Sequence, residues 1–98
     1  MSRQFSIHEM AEVEVNEAAD FYDLENSGLG NVFLDEVERA IGAISQYPEV
    51  GTLIRNGVRK MSLLKFPYSL IYVIKSNEIR LLAVAHQKRR PFYWRSRR

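Results

Sequence analysis

The residues with the most evident chemistry stand together in the last part of the chain. The segment Gln87–Arg98 contains six basic side chains, no acidic one and three aromatic rings. Its members are Lys88, Arg89, Arg90, Phe92, Tyr93, Trp94, Arg95, Arg97 and Arg98. Guanidinium and ammonium groups bind phosphates and carboxylates, while aromatic rings stack on nucleic-acid bases or pack in a protein core. This basic tail is therefore the first candidate for contact with an anionic partner.

His86 directly precedes the basic tail and is the residue best suited to acid–base chemistry. Beside Arg89 and Arg90 it is a candidate for proton transfer or for a phosphate contact. Alternatively, it is a histidine at a strand end that bonds a nearby backbone group. Tyr93 and Trp94 also have two interpretations, either stacking on bases or packing of the tail across a sheet. The sequence leaves both choices open.

Metal and cofactor chemistry has no support in the sequence. The two histidines, His8 and His86, lack the spacing of metal ligands, and the chain has no cysteine. No glycine-rich phosphate loop follows a predicted strand, and no serine lies in a nucleophile signature. We therefore predict no metal and no cofactor. A ribonuclease that relies on arginine, lysine and tyrosine needs no metal and stays compatible with this composition.

The net charge of +2 conceals a strong asymmetry along the chain. The basic tail holds six of the 14 basic residues, whereas Glu9–Glu38 contains ten acidic residues and no basic one. Acidic residues at helical spacing are typical of a solvated helix face, and we interpret them in that way. The interleaved bases and aromatic rings of the tail indicate a surface for a partner instead.

Length and composition predict one globular domain that spans residues 1–98. The hydrophobic content of 46% is that of an ordinary folded protein. The absence of cysteine suits a reducing compartment. No apolar run is long enough to span a bilayer, and the first residues lack the apolar region of a signal peptide. The expected location is the cytoplasm, without membrane contact.

The first half of the chain predicts a strand and two helices. Arg3–His8 alternates apolar and polar side chains, as a strand does. Glu9–Glu25 and Leu29–Tyr47 carry apolar stripes at helical spacing, and the short link between them predicts an antiparallel helical hairpin. Gly42 interrupts the second stripe, where a close approach by the first helix would explain it.

The second half predicts three strands. Pro48–Gly57 has the proline, glycine and asparagine content of a connection. Val58–Leu64, Tyr68–Lys75 and Glu78–His86 follow as strands, and the last is apolar on both faces, as a central strand is. The order β-α-α-β-β-β predicts an α+β fold, with the helical hairpin packed on one face of a mostly antiparallel sheet.

Several motifs of this half closely resemble the ParE branch of the ParE/RelE toxin superfamily. They are Gly57-Val58-Arg59, Phe66-Pro67-Tyr68-Ser69-Leu70-Ile71-Tyr72, the run from Ile79 to Pro91, and Tyr93-Trp94, with Pro48 and Gly51 in the preceding link. The resemblance spans nearly the whole chain. It implies the same element order and a toxin of a type II toxin–antitoxin module, a class also known from plasmid stabilisation systems.

The resemblance implies a ParD- or RelB-like antitoxin as partner and one of two targets. ParE-like members inhibit DNA gyrase by binding it and are not nucleases, whereas RelE-like members cleave messenger RNA in the ribosomal A site. The absence of bases from Glu9–Glu38 and the run from His86 to Pro91 favour the ParE branch. Positions carried over as ribonuclease candidates are Arg59, Lys65, His86, Arg89 and Tyr93.

We therefore predict a ParE-like toxin that stops replication by binding gyrase, with no committed catalytic residue. A RelE-like, ribosome-dependent endoribonuclease is the alternative, and an inactive homologue that only binds an antitoxin is a third hypothesis. The antitoxin is expected to use the helical hairpin or a sheet edge and to mask the basic tail with acidic residues. The predicted target-binding residues are His86, Lys88, Arg89, Arg90, Tyr93, Trp94 and Arg95.

Overall fold

Two helices and five strands form the fold in a computed structural model, which describes residues 3–97. Arg98 of the predicted basic tail lies outside the described residues, as do the first two residues. A short 3₁₀ turn, Pro48–Val50, follows the second helix. The elements are β1 (Gln4–Ile7), α1 (Glu9–Glu25), α2 (Leu29–Gln46), β2 (Thr52–Arg55), β3 (Val58–Ser62), β4 (Tyr68–Ile74) and β5 (Glu78–His86).

The five strands form one sheet with the order β1-β5-β4-β3-β2. β1 runs parallel to β5, with Ile7 opposite Leu81, and the other three pairings are antiparallel. β5 lies between β1 and β4, and its residues Leu81–Ala85 are all buried. The predicted central strand, the mostly antiparallel sheet and the α+β class are confirmed.

The segment predicted as a connection contains an additional strand. Thr52–Arg55 pairs antiparallel with β3 through a turn at Asn56 and Gly57, which have φ angles of 49° and 78°. The interpretation of Pro48–Gly57 as a connection without a strand is therefore wrong for β2. Turn residues dominate this segment, and three of the four β2 side chains are exposed, so no alternating burial pattern marks the strand.

The helical hairpin covers one face of the sheet. α1 begins after His8, whose Nδ1 accepts a hydrogen bond from the Met10 N–H at 3.0 Å. The two helices are in close contact at Gly30, where a Cβ atom would lie 2.5 Å from the carbonyl oxygen of Ala19. No atom would lie within 4 Å of a Cβ at Gly42, so the prediction of a close approach there is wrong. The buried helical residues include Ala11, Ala18, Ala19, Phe33, Val37, Ala40 and Ile44.

The residues after β5 cover the other face of the sheet. We call Gln87–Arg97 the C-terminal segment; it folds back through successive turns, with backbone bonds such as Arg95 N–H to Phe92 O at 3.0 Å. Trp94 is its buried anchor, with 5% of the residue exposed. Trp94 belongs to a second hydrophobic cluster with Val58, Ile71, Leu82, Ala83 and Ala85. The sheet therefore has a layer on each face, the helices on one and the C-terminal segment on the other.

Candidate functional site

A cleft of about 360 Å³ lies between the outer face of the sheet and the C-terminal segment. Its charged or titratable lining residues are Lys60, His86, Arg89 and Arg90, together with the Tyr93 phenol, and no aspartate or glutamate lines it. We call it the basic cleft. Its walls come from β2, β3, β4, β5 and the C-terminal segment, so its shape depends on how that segment is held.

The floor of the basic cleft follows from the alternation of side chains along a strand. Lys60 and Ser62 on β3 share the outer face with Ser69 and Ile71 on β4, and all four line the cleft. Ser62 faces Ser69 across the two strands, and their hydroxyls share a hydrogen bond of 3.1 Å. Lys60 therefore lies on a cleft floor that contains both apolar side chains and hydroxyl groups.

His86 stands at the end of β5, where the C-terminal segment begins. Its Nδ1 accepts a hydrogen bond from the Lys88 N–H at 3.0 Å, and its ring contacts Tyr68 edge-on, with the centroids 5.0 Å apart. The interpretation as a strand-end histidine that bonds the backbone therefore describes this geometry. Within residues 3–97 the other ring nitrogen, Nε2, has no hydrogen-bond partner, and a role of His86 in target binding stays a prediction.

Glu14 of α1 holds the C-terminal segment in place. The Tyr93 hydroxyl donates to Glu14 Oε2 at 2.7 Å, and Arg97 donates to both carboxylate oxygens at 3.0 Å each. The Val84 N–H donates to Glu14 Oε1 at 2.9 Å. The side chains of Glu14 and Arg97 are each 12% exposed. One carboxylate therefore joins α1, β5 and the C-terminal segment, and bidentate pairing makes this ion pair a strong one.

Glu14 and Arg97 also supply hydrogen-bond partners to backbone groups at an unpaired edge of β5. β1 accompanies β5 only as far as Leu81, because the chain then leaves the sheet as α1. Beyond that point Glu14 accepts the Val84 N–H, and Arg97 donates to the Leu82 carbonyl oxygen at 3.0 Å. Buried backbone groups need such partners, and these two side chains stand where the next residues of an edge strand would be.

Tyr93 links this anchor to the basic cleft. Burial raises the pKa of its phenol, the hydrogen bond to Glu14 raises it further, and the charges of Arg89 and Arg97 act in the opposite direction. The phenol is therefore a neutral donor at physiological pH. The Cζ of Arg89 lies 3.9 Å from the ring centroid and that of Arg97 5.1 Å, both within the range of a cation–π contact.

The other two aromatic rings of the tail pack within the protein. Trp94 is buried against the sheet, and Phe92 meets it edge-on with the centroids 5.7 Å apart. The Cζ of Arg55 lies 4.8 Å from the Phe92 centroid. Packing across the sheet, one of the two interpretations, is thus what the structure shows for Trp94. Direct target contact by Trp94 stays a prediction.

Arg59 lies outside the basic cleft. It follows Val58 and precedes Lys60, which face outward, so its side chain points to the other face of the sheet. There its guanidinium group donates to the carbonyl oxygen of Gly51 at 2.8 Å and to that of Glu49 at 3.3 Å. These contacts attach β3 to the turn that follows α2.

Lys65 also lies away from the cleft, in the loop between β3 and β4. Its backbone N–H donates to Glu36 Oε2 at 3.1 Å, and its side chain is exposed. The structure therefore brings together three of the five positions carried over from a ribonuclease, and it places Arg59 and Lys65 elsewhere. The three are His86, Arg89 and Tyr93.

Two residues of the site were not singled out from the sequence. Lys60 is recognisable from the alternation of β3, because it shares a face with Val58 and Ser62. Glu14 carries no local signal, since its partners Tyr93 and Arg97 are 79 and 83 residues away. The interpretation of the acidic residues as solvated helix faces is wrong for Glu14 and for Glu36. The Glu36 residue is 8% exposed, and its carboxylate accepts hydrogen bonds from backbone N–H groups.

The basic cleft presents several hydrogen-bond donors to its open side. Ammonium, guanidinium and hydroxyl groups can bind and orient an anionic group. Within residues 3–97, no group of three or more histidine, aspartate or glutamate side chains is arranged to hold a metal ion. No helix in that part of the chain is long and apolar enough to cross a membrane.

Comparisons with known proteins give one family and several similar folds. A family model described as "ParE toxin of type II toxin-antitoxin system, parDE" matches residues 5–91. A solved chain from the chromosomal ParDE TA system of P. aeruginosa is similar with a TM-score of 0.77 and 17% identity, over 87% of this chain and 96% of that one. A chain from the RelBE2 toxin–antitoxin complex of Mycobacterium tuberculosis has a TM-score of 0.61 and 20% identity, over 88% and 92%. No curated protein matches the chain.

Proposed function

Because the chain belongs to the ParE toxin family of type II toxin–antitoxin systems, we propose that it stops replication by binding DNA gyrase and that a cognate antitoxin neutralises it. The resemblance to the ParE branch is confirmed by the family match over residues 5–91. The cytoplasm, where gyrase acts on the chromosome, is the proposed location.

The observation that carries the proposal is a cationic surface on a segment that buried and hydrogen-bonded residues anchor to the sheet. Lys88, Arg89, Arg90 and Arg95 are exposed on the C-terminal segment, and Arg89 and Arg90 line the basic cleft. The C-terminal segment that carries them is anchored by buried Trp94 and by the contacts of Glu14. Exposed charges of one sign steer association with an oppositely charged protein surface and select against other partners.

The geometry supports binding rather than catalysis. A general acid or base must reach the proton that it transfers, either directly or through one water. The Tyr93 phenol already donates to Glu14, and its pKa is raised by burial. His86 Nδ1 accepts a backbone N–H, and Arg59 lies on the other face of the sheet. These positions favour the gyrase inhibitor over the RelE-like endoribonuclease.

The proposed antitoxin is of the ParD or RelB type. The two similar solved chains come from ParDE and RelBE2 toxin–antitoxin systems. The outer face of α1 carries Met10, Val13, Phe21 and Leu24, which are between 41% and 87% exposed. Their spacing places them on one stripe of the helix. Such a stripe fits the apolar face of an amphipathic helix from the antitoxin.

The test measures gyrase and messenger RNA separately. Expression of the chain alone is expected to cause filamentation and a DNA-damage response, and co-expression of its antitoxin is expected to restore growth. The purified chain is expected to inhibit DNA supercoiling by gyrase. The double variant Arg89→Ala/Arg90→Ala should lose this inhibition, whereas Lys75→Ala, an exposed base in the turn before β5, should keep it.

Two results would contradict the proposal. Rapid loss of messenger RNA with intact chromosomes and active gyrase would replace it by the RelE-like endoribonuclease. Normal growth during expression of the folded chain without its antitoxin would indicate the inactive, antitoxin-binding homologue.

A further inference from the structure

We propose that the loop between β3 and β4 is a second contact surface for gyrase, with Leu64 as an apolar anchor that enters a pocket of the target. The inference rests on the proposed function, because it takes gyrase as the partner. It adds the residue that contributes buried apolar area to the complex, whereas the cations of the C-terminal segment contribute charge.

The loop is anchored on both sides of its exposed tip. Leu63 and Phe66 are buried, with 7% and 8% of each residue exposed. The Leu63 N–H donates to the Tyr68 carbonyl oxygen at 2.9 Å, which closes the loop. Leu64 lies between the two buried side chains and is 94% exposed. The chain therefore directs one leucine into solvent from a base that is packed into the core.

A buried acid fixes the tip of this loop. Glu36 of α2 is 8% exposed, and its Oε2 accepts hydrogen bonds from the N–H groups of Leu64 and Lys65, the latter at 3.1 Å. Among residues 3–97 Glu36 forms no ion pair. Burial of a carboxylate costs free energy, and water could satisfy the N–H groups of an exposed loop. The contact therefore does more than satisfy two backbone groups, because it also sets the conformation in which Leu64 is presented.

This fixed conformation distinguishes Leu64 from an ordinary exposed apolar residue. Single apolar side chains are common on protein surfaces and need no explanation. Ordering of a flexible loop on binding lowers affinity, and a loop that is already ordered in the free protein avoids this cost. Burial of a leucine side chain in a partner contributes favourable free energy in proportion to its apolar area. Leu64 therefore has the properties of a preorganised anchor.

The loop lies at the same end of the sheet as the start of the C-terminal segment. Tyr68, the first residue of β4, pairs with His86, the last residue of β5. The Gln87 N–H donates to the Pro67 carbonyl oxygen at 2.9 Å, so the loop and the segment are in direct contact. The loop adds an exposed cation of its own, Lys65. A partner surface that meets the cations of the segment is therefore also placed to meet the loop.

The shape of the loop favours a folded target over an antitoxin segment or a second copy of the chain. Leu64 projects from the surface, so its partner must offer a concave pocket. A peptide that wraps the toxin contributes projecting side chains and occupies grooves, whereas a folded domain of gyrase can offer a pocket. In a second copy, the basic cleft is lined by Lys60, Arg89 and Arg90, which would repel Lys65.

Binding kinetics of the full chain on immobilised gyrase test the inference. Leu64→Ser is expected to raise the dissociation rate constant about tenfold, the usual effect of losing one buried leucine side chain, and to change the association rate constant by less than about twofold. Leu64→Met keeps an apolar side chain of similar volume and is expected to dissociate more slowly than Leu64→Ser. The matched control is Leu53→Ser, because Leu53 is an exposed leucine of β2 outside the loop, and it should bind as the unsubstituted chain does.

The charge variant should affect the other rate constant. Arg89→Ala/Arg90→Ala is expected to lower the association rate constant and to weaken its dependence on salt, because exposed charges steer the encounter. Leu64→Ser should keep the salt dependence of the unsubstituted chain. Unchanged thermal unfolding of each variant establishes that it is folded.

A double-mutant cycle tests whether Glu36 acts through Leu64. Glu36→Ala releases the loop and is expected to weaken gyrase binding about threefold in the unsubstituted chain, with no further effect in Leu64→Ser. Its effect on stability should be the same in both backgrounds, because the lost hydrogen bonds involve the backbone of the loop. If Glu36→Ala does not fold, Glu36→Gln, which keeps the shape of the side chain and removes its charge, takes its place in the cycle.

Several results would overturn the inference. Unchanged dissociation of Leu64→Ser from gyrase would do so, as would an equal rise in Leu53→Ser. Faster dissociation of Leu64→Ser from the antitoxin alone, or loss of a self-association of the unsubstituted chain, would assign the loop to that partner instead. Additive effects of Glu36→Ala and Leu64→Ser on binding would remove the positioning role of Glu36.

Binding of the unsubstituted chain separates this failure from failure of the proposed function. If the folded, unsubstituted chain binds and inhibits gyrase and Leu64→Ser does so equally well, the proposed target stands and only the inference about the loop fails. If the folded, unsubstituted chain does not bind gyrase, the proposed target fails and the inference fails with it.

Discussion

The hydroxyl of Tyr93 donates a hydrogen bond to Oε2 of Glu14 at 2.7 Å, across 79 residues of the sequence. Glu14 also accepts from Arg97 and from the backbone of Val84, so that α1, β5 and the C-terminal segment meet at one carboxylate. The C-terminal segment forms a wall of the basic cleft. Glu14 on α1 therefore helps to position the cations that this segment carries on the opposite face of the sheet.

Glu14→Ala is expected to lower the free energy of unfolding by about 2 to 3 kcal/mol, since it leaves the Arg97 charge and a backbone N–H without their partner in a largely buried place. Urea denaturation measures the loss. Glu12→Ala is the control, because Glu12 is exposed on the same helix, and it should change stability by less than about 0.5 kcal/mol. Equal losses in the two variants would show that Glu14 is an ordinary surface acid.

Tyr93→Phe is expected to retain gyrase inhibition and to lose about 1 kcal/mol of stability, because it removes one hydrogen bond and keeps the ring under Arg89. Tyr93→Ala removes the ring as well and should lower both stability and inhibition. Supercoiling assays and denaturation curves on the two variants provide the comparison. Complete loss of activity in Tyr93→Phe would assign chemistry to the hydroxyl and favour the ribonuclease.

The raised pKa of Tyr93 predicts a loss of stability at alkaline pH. The unfolded chain releases the phenolic proton near pH 10, while the folded chain keeps it to a higher pH because of burial and Glu14. The stabilising contribution is therefore complete below pH 10 and declines as the pH rises above it, by at most about 1.4 kcal/mol per pH unit for one group. Denaturation between about pH 9 and 11 should show a shallower decline in Tyr93→Phe. Tyr22, Tyr68 and Tyr72, whose pKa values are also raised by burial, remain in this variant and contribute to its slope.

Arg59→Ala separates the two branches of the superfamily. Its guanidinium group donates to the carbonyl oxygens of Gly51 and Glu49 on the helix-facing side, so its removal is expected to cost about 1 kcal/mol of stability and to leave gyrase inhibition nearly unchanged. Growth arrest and supercoiling assays on the folded variant check this. An abolished toxicity together with normal folding would place Arg59 in an active site and contradict the binding mechanism.

Two glycines of α2 are expected to respond to alanine with opposite signs. At Gly30 a Cβ atom would lie 2.5 Å from the carbonyl oxygen of Ala19 and 2.8 Å from Oδ1 of Asp23, so Gly30→Ala should destabilise the chain by about 2 kcal/mol through displacement of α1. Gly42 faces open space in a regular helix, so Gly42→Ala should stabilise it by up to about 1 kcal/mol. Thermal unfolding of both variants is the measurement. An increase in stability in both would show instead that alanine is tolerated at either position.

The sequence by itself determined the order of most elements and the family. Hydrophobic periodicity and the breaks at glycine and proline are local properties, and they were sufficient for β1, α1, α2, β3, β4 and β5. The sequence does not predict β2, because the side chains of this strand are mostly exposed and turn residues surround it. The concentration of bases after His86 was equally visible, and the motifs from Arg59 to Trp94 pointed to the ParE branch that the family match confirmed.

Only the tertiary structure decided what these residues face. It buried Trp94, separated Arg59 from the basic cleft, placed Lys60 in it, and made Glu14 the anchor of the C-terminal segment. The physical reason is that these relationships depend on contacts between distant parts of the chain. The partners of Glu14 are 70, 79 and 83 residues away, and no local pattern distinguishes it from the exposed acids beside it on α1.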